Sequence, residues 1–104
     1  MIAEYDKHMI ARYESQIIAI AEETTISVDE RMNKARPVIN EFISRLQEKR
    51  GGQHDVSSER DALSVKLRIQ AEEMKGINDV NSVLEMCLDY IDKQYSAVIN
   101  KAQS

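Results

Sequence analysis

Cys87 is the only thiol in the 104-residue chain, and His8 and His54 are its only imidazoles. A nucleophilic cysteine needs a base or a positive neighbour to hold it as thiolate. Cys87 falls instead in the apolar run Val80, Leu84, Cys87, Leu88, Ile91, with no histidine near it in sequence. A thiol in such a run behaves as a small hydrophobe, so its expected role is core packing. Metal chemistry fares no better. A di-iron centre in a helical bundle takes two Glu-x-x-His motifs, and neither histidine has a Glu three positions before it. Glu4 and His8, one turn apart, offer two donors where a site needs three or four. The chain has no glycine-rich phosphate loop, no nucleophile elbow and no zinc spacing. No catalytic residue, metal or cofactor is therefore expected, and the sequence does not read as an enzyme.

Charge points away from nucleic acid. The net charge is −4 and the isoelectric point about 5.2, the reverse of the basic field that a phosphate backbone selects. One foothold exists in segment 31–50, where Arg31, Lys34, Arg36, Arg45, Lys49 and Arg50 are interleaved with Glu41 and Glu48. A solvated helix face accounts for that pattern. The alternative it leaves open is a small phage- or plasmid-type regulator touching nucleic acid, or a nucleic-acid enzyme, through 31–50.

The elements that would carry these residues are helices. Three glycines, one proline and no tryptophan leave few breakers, and the one Gly-Gly pair, Gly51-Gly52, sits at the chain's midpoint. Ile2, Tyr5, Met9, Tyr13, Ile17 and Ile20 share one helical face. Thr24-Thr25-Ile26 lowers helix propensity, and Ser27 with Glu30 fits a capping box. Val28, Met32, Ala35, Ile39, Phe42 and Leu46 form the second stripe, which passes Pro37 in phase and so predicts a kink there, not a break. Segment 63–69 alternates like a strand, but a lone strand has no partner here, so helix is expected and Val65 and Ile69 fall off its core face. Gly76 suits a left-handed helix end, Asn78 or Asp79 a following cap. Val80 to Val98 is the clearest helix.

The chain is thus expected to be all-α and a single domain over 1–104, with arms 1–50 and 58–102 joined by loop 51–57. Two forms satisfy this: a four-helix up-and-down bundle closed within one chain, or an antiparallel helical hairpin completed by dimerisation. Continuous phase across 20–32 and 74–84 favours the hairpin, with arms of about 45 residues and roughly 65–70 Å.

What remains is surplus apolar surface. Met86 and Tyr90 stand one turn apart off the main stripe, with Val83 at the border, and Val65 and Ile69 repeat the spacing on the third segment. Val65, Ile69, Val83, Met86 and Tyr90 are the candidate partner-binding residues. The expected function is a small helical interaction module (adaptor, chaperone or regulator) that buries helix faces against another protein or a second copy. In size, acidity and its five methionines the chain resembles small acidic secretion chaperones, including those of bacterial type III systems. It also has the length of WXG100-type hairpins, but carries Arg50-Gly51-Gly52 and no Trp where they carry Trp-x-Gly. With one cysteine, charges from Glu4 onward and no apolar run of about 20 residues, a cytoplasmic protein without a membrane span is expected.

Overall fold

The computed structural model describes residues 4–50, 55–77 and 79–100. Ile2, the Gly51-Gly52 turn, His54, Asn78, the side chains of Glu4, Tyr5 and Arg50, and the last residues of the second arm lie outside the described residues. Four helices follow one another: α1 (Glu4–Ala21), α2 (Val28–Arg50), α3 (Ser57–Glu73) and α4 (Val80–Tyr95), the last running into a π-helical turn at Ser96–Asn100. No strand occurs among the described residues, so segment 63–69 is helical as expected.

The interruptions at 22–27 and 74–79 are reversals, which corrects the two-arm form. Principal extents of 42 × 26 × 17 Å cannot hold arms of 65–70 Å. At the first reversal the β-branched Thr24-Thr25-Ile26 run breaks the ladder, and Thr24 N donates to Glu22 O at 2.8 Å. Ser27 then starts α2: its Oγ accepts from Glu30 N–H at 3.1 Å and donates to the Glu30 carboxylate at 3.2 Å. Arg31 is folded inward and 3% exposed. Its guanidinium donates to Ala21 O at 3.0 Å and Ile26 O at 3.2 Å, meeting carbonyls that the end of α1 and the turn leave unpaired. At the second reversal Gly76 takes φ +82° and Asp79 φ +65°, the left-handed values that end one helix and precede the next. Asp79 makes no side-chain cap bond. α3 begins at Ser57, whose N–H donates to Asp55 Oδ1 at 2.9 Å. Pro37 lies exposed inside α2, which continues through it.

Replacing Ser27 by Ala should cost about 1 kcal/mol, because Glu30 N–H loses its acceptor and the start of α2 frays. Urea denaturation would read this as a lower midpoint with an unchanged slope. A loss below about 0.3 kcal/mol would mean that Arg31 alone holds the turn.

Helix directions alternate, but space neighbours are not always sequence neighbours. α1 packs on α2 and α3, α4 packs on α3 and α2, and α1 approaches α4 across the middle. α2 and α3 stand at opposite corners. Consequently α1 runs parallel to α3, and α2 parallel to α4. Lys49, near the end of α2, ties three helices together. It pairs with Asp6 at the start of α1, and with Glu59 at the start of α3 at 3.2 Å. At the same end the Arg60 guanidinium lies 4.5 Å from the centre of the Tyr95 ring, joining α3 to α4.

The core is one cluster. Ile10, Tyr13, Ile17 and Ala21 of α1 meet Ala35, Ile39, Phe42 and Leu46 of α2, Leu63 and Leu67 of α3, and Val83, Leu84, Cys87 and Ile91 of α4. Each large aliphatic or aromatic side chain buried this way contributes roughly 1.5–3 kcal/mol. Tyr13 and Phe42 meet edge-on at 5.4 Å between ring centres. The α1 stripe is rotated from its expected position: Ile10 and Ala21 are central, while Met9 and Ile20 are half-buried. α1 faces both α2 and α3, so its buried face is wider than one stripe.

Candidate functional site

Parallel packing of α2 and α4 leaves an open groove of about 530 Å³ between them. The sequence dictates why α4 contributes to it. Val80, Val83, Leu84, Cys87 and Ile91 take the inward face, and at 100° per residue Met86 and Tyr90 are turned to the flank that borders α2. Met32 lies between the walls, its sulfur 3.8 Å from Cys87 Sγ. Arg36 stands on the α2 wall and donates to Asn33 Oδ1 at 2.8 Å. Ser82, Glu85, Asp89 and Lys93 stand on the α4 wall, where Asp89 and Lys93 pair at 2.9 Å. Tyr90 OH donates to Asn40 Oδ1 at 2.8 Å, which fixes its ring along the groove. The surface is thus apolar at its floor (Met32, Met86, the Tyr90 ring) and charged at its rims.

Of the five residues singled out from sequence, Met86 and Tyr90 line this groove, Met86 being 39% exposed. Val83 does not: it is fully buried in the core, because α4 packs on three elements and its inward face extends to that position. Val65 and Ile69 are exposed, as their phase implied, but they lie on the side of α3 turned away from Leu63 and Leu67 and do not line the groove. One continuous surface through all five is therefore not formed. Met32 and Arg36 were missed as site residues. Each fits its own helix as a core or solvated position, and only the adjacency of α2 to α4 gives them a shared role.

Burial pushes the Cys87 thiol up to about 12, with the nearby Arg36 charge pulling weakly the other way. Among the described residues no group of three or more His, Cys, Asp or Glu side chains converges on a point that could hold a metal. Two smaller hollows flank α1 and α2, one lined by His8, Met9, Arg12, Tyr13 and Arg45, the other by Asp6, Met9, Arg45, Glu48 and Lys49. Cations and carboxylates mix there. Tyr13 OH donates to Glu41 at 2.8 Å and accepts from Arg45 Nε at 2.6 Å.

Segment 31–50 is not a free basic face. Arg31 is buried, Lys49 is held by Asp6 and Glu59, and Lys34 pairs with Glu23 at 2.6 Å. Among the described residues no helix is long and apolar enough to cross a membrane.

Compared with known proteins, the chain matches no family model, and no curated protein or solved structure is detectably similar to it. The groove is accordingly read from its own chemistry.

Proposed function

We propose that the protein is a small helical interaction module (an adaptor, chaperone or regulator, secretion chaperoning included) that works by burying the α2–α4 groove face against a partner protein or a second copy. The observation that carries this reading is the groove itself: an apolar floor of Met32, Met86 and Tyr90 between charged rims. Helix-in-groove recognition uses that division, apolar anchors for affinity and rim charges for register. Methionine suits such a floor because its unbranched thioether adapts to the shape of what it meets. A reducing, cytoplasmic setting fits the free buried thiol of Cys87. Nothing in the placement of Arg31, Lys34 and Lys49 favours the nucleic-acid alternative.

The test is affinity purification from the source cells with wild-type and Met86→Glu baits in parallel, with helicity and thermal stability checked by circular dichroism. Met86 is partly exposed, so the folded state should keep its melting temperature within a few degrees. Partners held by the groove should be lost from the variant bait, since a desolvated carboxylate facing an apolar anchor weakens binding by about a hundredfold. Equal recovery on both baits, or no partner on the wild-type bait, would refute the reading.

A further inference from the structure

We infer that the occupant of the α2–α4 groove is the same groove of a second copy of this chain, packed about a two-fold axis that runs along it. The inference rests on the reading of the groove as a docking surface. Its own support is the charge pattern. Arg36 on the α2 wall donates to the neutral Asn33 and meets no carboxylate among the described residues. Glu85 on the α4 wall makes no ion pair among the described residues. An unmatched cation and an unmatched anion thus face each other across an apolar floor, too far apart to pair.

Their levels along the groove are fixed. Met32 meets Cys87 at 3.8 Å and Asn40 meets Tyr90 at 2.8 Å, so Arg36, midway between Met32 and Asn40, is level with the Glu85–Asp89 turn. A two-fold axis along the groove exchanges its walls and preserves these levels, because rotation leaves every position along its own axis unchanged. Arg36 of each copy then faces Glu85 and Asp89 of the other, twice over by symmetry. Met86 and Tyr90 of each copy lie over the α2 wall of the other.

An isologous contact requires one patch that carries both halves of every pair, and this groove does. A two-fold axis across the helices would instead set α2 on α2, cation against cation. The face is modest. About 24 Å of α4 beside a helix 8–10 Å away, each helix about 10 Å across, makes a face about 19 Å wide and so roughly 450 Å² per copy, below the roughly 800 Å² of a standard interface. The dimer should therefore be weak, dissociating at roughly 10–100 µM.

Sedimentation velocity on the full chain from about 10 µM to 1 mM would test this. Wild type should pass from monomer to dimer across that range. Arg36→Glu and Glu85→Arg should each weaken self-association by about tenfold or more, and Met86→Glu by about a hundredfold. An equimolar mixture of Arg36→Glu and Glu85→Arg chains should dimerise again, because both contacts of the mixed pair regain opposite charges. Glu85 is exposed and Arg36 half-buried at the groove's rim, neither in the core, so these two variants keep the test decisive if Met86→Glu fails to fold.

Three results would overturn the inference. One is a wild-type chain that stays monomeric at 1 mM. Another is a dimer that none of the variants weakens, which would place its seam elsewhere, such as the Val65–Ile69 face of α3. The last is a mixture that does not reassociate. In the monomeric case, loss of partners from the Met86→Glu bait would still leave the groove as a docking surface for a different protein.

Discussion

Replacing Lys49 by Met should destabilise the fold by about 2–3 kcal/mol, less than for a fully buried cluster because the Lys49 side chain is itself 29% exposed. Asp6 and Glu59 have side chains only 9% and 6% exposed, and Lys49 lies between them. Without the ammonium, two carboxylates of like charge remain near one another and away from water. Glu59 is already poorly served: its Oε2 is buried with no hydrogen-bond partner among the described residues.

A small domain is stable by about 5–15 kcal/mol, so this one change removes a substantial part of that margin. Adding Asp6→Asn and Glu59→Gln to Lys49→Met should recover most of the loss, because the charges that needed the lysine are gone. Urea denaturation of the three proteins at pH 7 measures both effects. A Lys49→Met cost below about 1 kcal/mol would show that Asp6 and Glu59 reach water once the lysine is removed.

Stability should also fall steeply in alkali, and Cys87 should be the main reason. Its thiol is held up at about 12 by burial against an ordinary value of 9.0. Between these values the unfolded chain loses the thiol proton while the folded chain keeps it. The folded state then binds more protons, and its stability drops as pH rises. The loss is about 1 kcal/mol between pH 9 and 10 and about 4 kcal/mol by pH 12.

Two further groups act in the same direction at higher pH. Burial, and next the hydrogen bond to Glu41, hold the Tyr13 hydroxyl above its ordinary value. The hydrogen bond to Asp6 does the same for Lys49. For Lys49 the stabilisation is complete below the unfolded value and disappears as pH climbs through the folded one. Cys87→Ala should cost some packing at pH 7 yet flatten the curve between pH 9 and 10. Parallel curves for wild type and Cys87→Ala would mean that the thiol is not the source of the alkaline loss.

The helical elements were legible in the residues themselves. Apolar spacing of three and four located α1, α2 and α4, while α3 was assigned as helix because its strand-like alternation had no strand to pair with. Ser27 and Glu30 announced the start of α2, and Gly76 the end of α3, because capping and left-handed backbone depend on residues a few positions apart. Periodicity also put Val65, Ile69 and Met86 outside the core, as they are. The two reversals were harder. Apolar phase continues across 20–32 and 74–84, and phase alone cannot distinguish a kink from a turn that happens to span whole helical turns.

Three matters were decided only by tertiary structure. Arg31 has the composition of a surface cation, and only the approach of α1's last carbonyls makes its burial favourable. Val83 borders the stripe of α4, and the packing of α4 against several elements draws it into the core. The groove exists because α2 lies beside α4 and not beside its own sequence neighbour α3. Helix period, cap chemistry and burial preference are local properties that a stretch of sequence carries with it. Which helix stands next to which is settled by how all the apolar faces close together, and that is why the groove's residues could be named singly from the sequence but not assembled from it.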